Sequence, residues 1–73
     1  MKERVLIIGY NGELGSKTLK KLLNKGKSVI ALDISDPKEK IHSVTYIKDT
    51  ITNYRLINSI FKDYHITEVY HFA

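Results

Sequence analysis

The feature that most constrains the fold is a set of evenly spaced glycines placed directly after a short apolar run. Residues 5–8 read VLII, and Gly9, Gly12 and Gly15 follow within the stretch GYNGELG. A continuous apolar run of this kind, bounded by a glycine, is typical of a strand buried on both faces of a parallel sheet. From Leu14 onward the apolar residues recur at helical spacing, so we predict a strand, a glycine-rich loop and a helix.

The remainder of the chain continues the alternation of apolar runs and helical patterns. Residues 28–33 (SVIALD), 44–48 and 66–73 are predicted strands, Gly26 stands where a helix commonly ends, and Asn53 is predicted to cap a second helix. The apolar face of the first helix is predicted to comprise Leu14, Thr18, Leu19, Leu22 and Leu23. Core or boundary positions are predicted for the aromatic residues Tyr46, Phe61, Tyr64 and Tyr70.

Strands separated by helices indicate right-handed crossovers and a parallel sheet. The predicted fold class is α/β: half of a doubly wound sheet of about four strands and two helices, in the order third, second, first, fourth. With 73 residues, the chain is one domain at most, or part of one. The outer edge of the fourth strand would be open, so we expect either a homo-oligomer paired through this strand or a longer polypeptide that covers it.

The glycine loop is predicted to approach a phosphate group, because it joins a buried strand to a helix N-terminus that carries free N–H groups. Gly9 would allow the turn, Gly12 the approach of backbone to pyrophosphate, and Gly15 close helix–strand packing. Asp33 follows Gly15 by 18 residues and would accept hydrogen bonds from a ribose. Its carboxylate favours NAD over NADP by charge. The alternative is a parallel domain whose glycines serve packing only.

The spacing of Gly9, Gly12 and Gly15 resembles that of short-chain dehydrogenases/reductases. The segment from residue 44 to the ending VYHFA is similar to the third strand, helix and fourth strand of the extended branch, the NAD-dependent epimerase/dehydratase family. The resemblance implies NAD as cofactor, NAD(H) as partner and an N-terminal Rossmann segment over residues 1–73. The cofactor-binding residues that it implies are Gly9, Asn11, Gly12, Glu13, Leu14, Gly15, Asp33, Thr50, Phe72 and Ala73.

Within that set the resemblance implies separate roles. The glycine loop would hold the pyrophosphate, with a backbone N–H from Leu14, and Asp33 would hold the adenosine ribose. Phe72 and Ala73 would lie near the nicotinamide ribose. Thr50 aligns with an aspartate that contacts adenine in the family, and Asp49 is the alternative for that role.

The family's catalytic Tyr-x-x-x-Lys pair is not found, because no tyrosine here is followed four residues later by lysine. We therefore expect no catalytic residue in this chain, and the catalytic and substrate-binding parts to lie outside it. In a complete protein the resemblance implies an epimerase, dehydratase or dehydrogenase acting on sugar nucleotides or a similar small substrate. The alternative function is a non-catalytic module for nucleotide binding or protein interaction.

Composition bears mainly on partners and compartment. The net charge of +4 favours a solvated lysine surface over nucleic-acid binding, and the three histidines lack metal-ligand spacing. The N-terminal apolar run is too short for a signal peptide or a membrane helix, so we expect no membrane partner and a cytoplasmic location. The absence of cysteine is consistent with that compartment.

Overall fold

The computed structural model of the chain describes residues 3–50 and 52–72. Its elements, in chain order, are β1 (Glu3–Ile8), α1 (Glu13–Asn24), β2 (Val29–Asp33), β3 (Thr45–Lys48), α2 (Tyr54–Asp63) and β4 (His65–His71). The four strands form one sheet in the order β3-β2-β1-β4, and all three pairings are parallel. The predicted class, element sequence and strand order are therefore confirmed, with strand boundaries that differ by one or two residues.

The two central strands are buried because a helix covers each face of the sheet. On the α1 face, Val5 and Ile7 pack with Leu19 and Leu22. On the opposite face, Leu6, Ile8, Ile30 and Leu32 pack around Ile60 of α2. This arrangement explains why β1 and β2 read as continuous apolar runs, with no polar alternation.

A glycine just past the C-terminus of α1 shapes the end of this helix. At its C-terminus, Gly26 has φ +76°, and the backbone N–H groups of Gly26 and Lys27 donate to the carbonyls of Leu23 and Leu22. This is the Schellman pattern, which needs a residue that adopts positive φ readily. It fixes the direction in which the chain leaves α1 for β2.

Two predicted core assignments are wrong. Leu14 is 68% exposed, because it lies about 100° around the helix from Gly15, which starts the buried stripe continued by Leu19 and Leu22. Phe61 is also exposed, because it follows the buried Ile60 by one residue and so points away from the sheet. Tyr46, Tyr64 and Tyr70 are half-buried, as predicted.

Among the residues that the structure describes, β4 lies at one edge of the sheet and pairs with β1 alone. Its residues alternate between exposed and half-buried, and Val69 is among the exposed ones. Within the described ranges, no helix has the length and apolar character needed to cross a membrane.

Candidate cofactor site

The carboxyl ends of the strands bring the predicted loops together at one edge of the sheet. The N–H of Gly9 donates to the carbonyl of Leu32 at 2.8 Å, and the N–H of Asp49 donates to the carbonyl of Asp33 at 3.0 Å. On the other side, the N–H of Phe72 donates to the carbonyl of Ile8 at 2.8 Å. The segments that follow all four strands are therefore neighbours, which is where open α/β sheets bind ligands.

The three glycines of the loop have distinct environments. Gly9 has φ +82°, a conformation that only glycine adopts readily. A Cβ on Gly15 would lie 2.8 Å from the Cα of Tyr10, whereas a Cβ on Gly12 would have no atom within 4 Å. Gly9 and Gly15 are thus required by the protein's own backbone. The space beside Gly12 is open to a group from outside.

The N-terminus of α1 lacks the side-chain cap that α2 has. Gly12 is its N-cap residue and provides no side chain to accept from the first N–H groups. In α2, by contrast, the side chain of Asn53 accepts a hydrogen bond from the N–H of Leu56 at 3.2 Å. Uncapped N–H groups carry partial positive charge at a helix N-terminus and favour an anionic group.

Asp33 ends β2 next to this helix terminus, and both of its carboxylate oxygens are fixed. The N–H of Asn11 donates to Oδ2 at 3.2 Å, and the N–H of Ser35 donates to Oδ1 at 3.0 Å. A carboxylate oxygen has more than one lone pair, so each can still accept from a hydroxyl group. Asp33 is therefore a rigid acceptor at the edge of the site.

A cavity of about 240 Å³ extends from Asp33 along the strand ends, and its walls are largely apolar. Ile8, Gly9, Leu32, Asp33, Ile34, Asp49 and Thr50 line it. Asp49 accepts from the N–H of Thr50 at 2.7 Å and from the side-chain amide of Asn53 at 3.0 Å. A flat aromatic ring would meet apolar walls here, with polar atoms only at the rim.

Four further residues complete the predicted set: Glu13, Leu14, Phe72 and Ala73. Glu13 is exposed and pairs with Lys17 at 3.3 Å, and the exposed Leu14 begins the helix beside it. Phe72 lies past β4 and is partly exposed. Ala73 lies outside the described residues. The structure thus brings Gly9, Asn11, Gly12, Asp33, Thr50 and Phe72 to the carboxyl edge of the sheet, with Thr50 after β3 on one side and Phe72 after β4 on the other.

Sequence reasoning missed the role of Tyr10. Its side chain is 3% exposed, its ring centroid lies 5.3 Å from that of Tyr46, and its hydroxyl donates to the carbonyl of Ser35 at 3.4 Å. Burial, followed by the nearby charge of Asp33, raises the pKa of the Tyr10 hydroxyl above its ordinary value. The only signal in the sequence was a large aromatic residue inside a loop otherwise made of small and polar residues.

Among the described residues, no group of three or more histidine, cysteine, aspartate or glutamate side chains could hold a metal ion.

Comparison with known proteins assigns this arrangement to a family. The model of the "NAD dependent epimerase/dehydratase family" matches residues 5–73. The chain belongs to the NAD-dependent epimerase/dehydratase family. It is 35% identical over 79 aligned positions to UDP-glucose 4-epimerase of Haemophilus influenzae, covering 94% of this chain and 23% of that protein. It is 40% identical over 73 positions to short-chain dehydrogenase/reductase family 42E member 1 of Macaca fascicularis, covering 99% of this chain and 19% of that protein.

Solved structures give the same assignment. The Bordetella bronchiseptica enzyme WbmG, crystallised in complex with NAD and UDP, matches with a TM-score of 0.84 and 26% identity, over 100% of this chain and 25% of that one. The chain spans about a fifth to a quarter of the length of these relatives. The resemblance predicted from the glycine loop and the VYHFA ending is thus confirmed.

Proposed function

We propose that this chain is the NAD-binding segment of an NAD-dependent epimerase, dehydratase or dehydrogenase. The observation that carries the proposal is the open, uncapped N-terminus of α1 at Gly12, with the fixed carboxylate of Asp33 on the adjacent strand end. This pairing matches the needs of a dinucleotide, whose pyrophosphate is anionic and whose ribose donates hydroxyl groups.

Each part of the cofactor is assigned to residues of this chain in this proposal. The N–H groups at the start of α1 would hold the pyrophosphate, and Asp33 would accept from the adenosine ribose. The adenine ring would lie in the apolar cavity, with Thr50 and Asp49 at its rim. Phe72 would lie on the side of the nicotinamide ribose. When bound, NAD supplies a hydride acceptor, and the chain's own residues bind and orient it.

The complete protein would act on a sugar nucleotide. Support comes from the similarity to UDP-glucose 4-epimerase and to the MoeE5 structure, which was solved in complex with UDP-glucuronic acid and NAD. In that case the acid/base residues would come from chain outside these 73 residues.

The proposal is tested by titrating NAD into the parent chain and into two variants with side chains of increasing size at Gly12. Gly12→Ala should weaken NAD binding, and Gly12→Val should abolish it, because each added carbon occupies the space that a pyrophosphate would need. Asn24→Val, at the exposed C-terminal end of the same helix, is the matched control and should bind NAD as the parent does. Circular dichroism should show the same secondary structure in all four proteins.

Unchanged NAD affinity in Gly12→Val would show that the glycines serve packing only. Absence of NAD binding by the parent chain, with the fold intact, would refute the proposal.

A further inference from the structure

Asn11 connects the glycine loop to the loop that follows β2. Its side-chain amide Nδ2 donates to the carbonyl oxygen of Ser35 at 3.3 Å and to that of Asp36 at 3.0 Å. Its backbone N–H donates to Oδ2 of Asp33 at 3.2 Å. One residue therefore holds both the acid at the end of β2 and the two backbone carbonyls just beyond it.

These contacts lie next to the Asp33 carboxylate, whose Oδ2 accepts from the backbone N–H of Asn11. The groups bonded to the Asn11 side chain are acceptors: the carbonyl oxygens of Ser35 and Asp36. The nearby Lys48 is already engaged, since its Nζ lies 3.2 Å from Oδ2 of Asp36. A hydroxyl group on a ribose can donate to such acceptors, whereas a phosphate group carries only negative charge and acceptor oxygens at neutral pH.

Two tyrosine side chains also hold the loop after β2. Tyr10 donates to the carbonyl of Ser35 at 3.4 Å, and Tyr46 accepts from the N–H of Ile41 at 2.9 Å. Asn11 adds two further hydrogen bonds between the same two loops, to the carbonyls of Ser35 and Asp36. Its backbone does not have positive φ, so alanine can replace it without strain.

We propose that Asn11 is a positioning and specificity-determining residue. By joining the two loops, it fixes the Asp33 carboxylate toward a free 2′-hydroxyl and closes the space that a 2′-phosphate would occupy. This inference rests on the proposed function, and it assigns the preference for NAD over NADP to Asp33 and Asn11 acting together.

The experiment measures the dissociation constants of NAD and NADP for the parent chain, Asn11→Ala, Asp33→Ala and the double variant. Asn11→Ala removes hydrogen bonds of ordinary strength, so NAD affinity should fall about three- to tenfold. NADP affinity should fall less or rise, and the preference for NAD should therefore drop at least about threefold. Asn58→Ala, on the exposed face of α2, is the matched control and should leave both constants unchanged.

The outcomes separate a failure of the proposed cofactor site from a failure of the role given to Asn11. If Asn11 acts on NAD through Asp33, Asn11→Ala should weaken NAD binding no further in the Asp33→Ala background, and additive losses of NAD affinity would overturn the positioning role. An unchanged ratio of NAD to NADP affinity in Asn11→Ala would overturn the specificity role while leaving NAD binding established. A parent chain that binds neither nucleotide would refute the proposed function itself.

A second variant tests whether the hydrogen-bond donor of Asn11 is what matters. Asn11→Asp keeps the shape of the side chain but replaces its donor with acceptors that face two carbonyl oxygens. It should weaken NAD binding at least as much as Asn11→Ala does, and parent-like NAD affinity in this variant would contradict the proposal.

Discussion

Replacement of Gly15 by alanine tests the packing of α1 against the glycine loop. The new Cβ would lie 2.8 Å from the Cα and 3.0 Å from the carbonyl carbon of Tyr10, where carbon atoms ordinarily stay about 3.5–4.0 Å apart. Both atoms belong to backbone, so the helix must shift. Such overpacking costs up to about 3 kcal/mol, and alanine's better helix propensity returns about 1 kcal/mol. We expect a net loss of about 2 kcal/mol, which lowers Tm by roughly 8–16 °C in a domain of this size.

Thermal unfolding followed by circular dichroism measures this loss, with Gly12→Ala as the matched control. Gly12 has φ −73° and ψ 168°, a conformation open to any residue, and an added Cβ meets no atom within 4 Å. Its Tm should therefore change by only a few degrees. Equal Tm values for the two variants would refute the reasoning, because they would show that helix–loop contact at Gly15 is not tight.

Three further predictions follow from the site and the sheet edge. Asp33→Ala should weaken NAD binding by about ten- to a hundredfold and change NADP binding less. Titration with both nucleotides checks this, and equal losses of affinity for the two would contradict it. Burial and the charge of Asp33 raise the pKa of Tyr10 in the folded state above 10.0, so the unfolded chain loses this proton first and the free energy of unfolding should fall as the pH rises above that value. When unfolding by urea is measured between pH 8 and 11, the free energy of unfolding of Tyr10→Phe should fall less with pH than that of the parent chain. An equal fall in the two proteins would exclude Tyr10 as a cause. The open edge of β4, with Val69 exposed, should promote pairing between copies, so light scattering should give a mass that rises with concentration, whereas a constant monomer mass would show that the edge is protected.

The fold could be predicted because its signals are local and agree with one another. The apolar runs of β1 and β2 have no polar alternation, the helices have clear apolar stripes, and Gly26 and Asn53 mark helix ends that the structure confirms. Given right-handed crossovers, these elements leave few strand orders to choose from. Boundaries moved by a residue or two because the ends of strands depend on pairing partners.

The errors and omissions arise where distant parts of the chain meet. Leu14 and Phe61 fit an apolar pattern, but a difference of one helical position turns each away from the sheet. The contacts of Tyr10 and Asn11 with Ser35 join residues 25 and 24 positions apart, respectively, and no spacing rule within a loop predicts them. The roles of Gly9 and Gly15 were predictable because the backbone geometry at both positions requires glycine.

The most direct test of the account is to map NAD onto the chain by nuclear magnetic resonance. In a chain labelled with ¹⁵N, titration with NAD should shift the backbone amide signals of Gly12 to Gly15, of Asp33 and of Thr50, which share the carboxyl edge of the sheet. Signals at the opposite edge, such as those of Lys25 and Ser28, should stay in place. Shifts confined to that opposite edge, or none at saturating NAD, would contradict the claim that this glycine loop and Asp33 form a cofactor site.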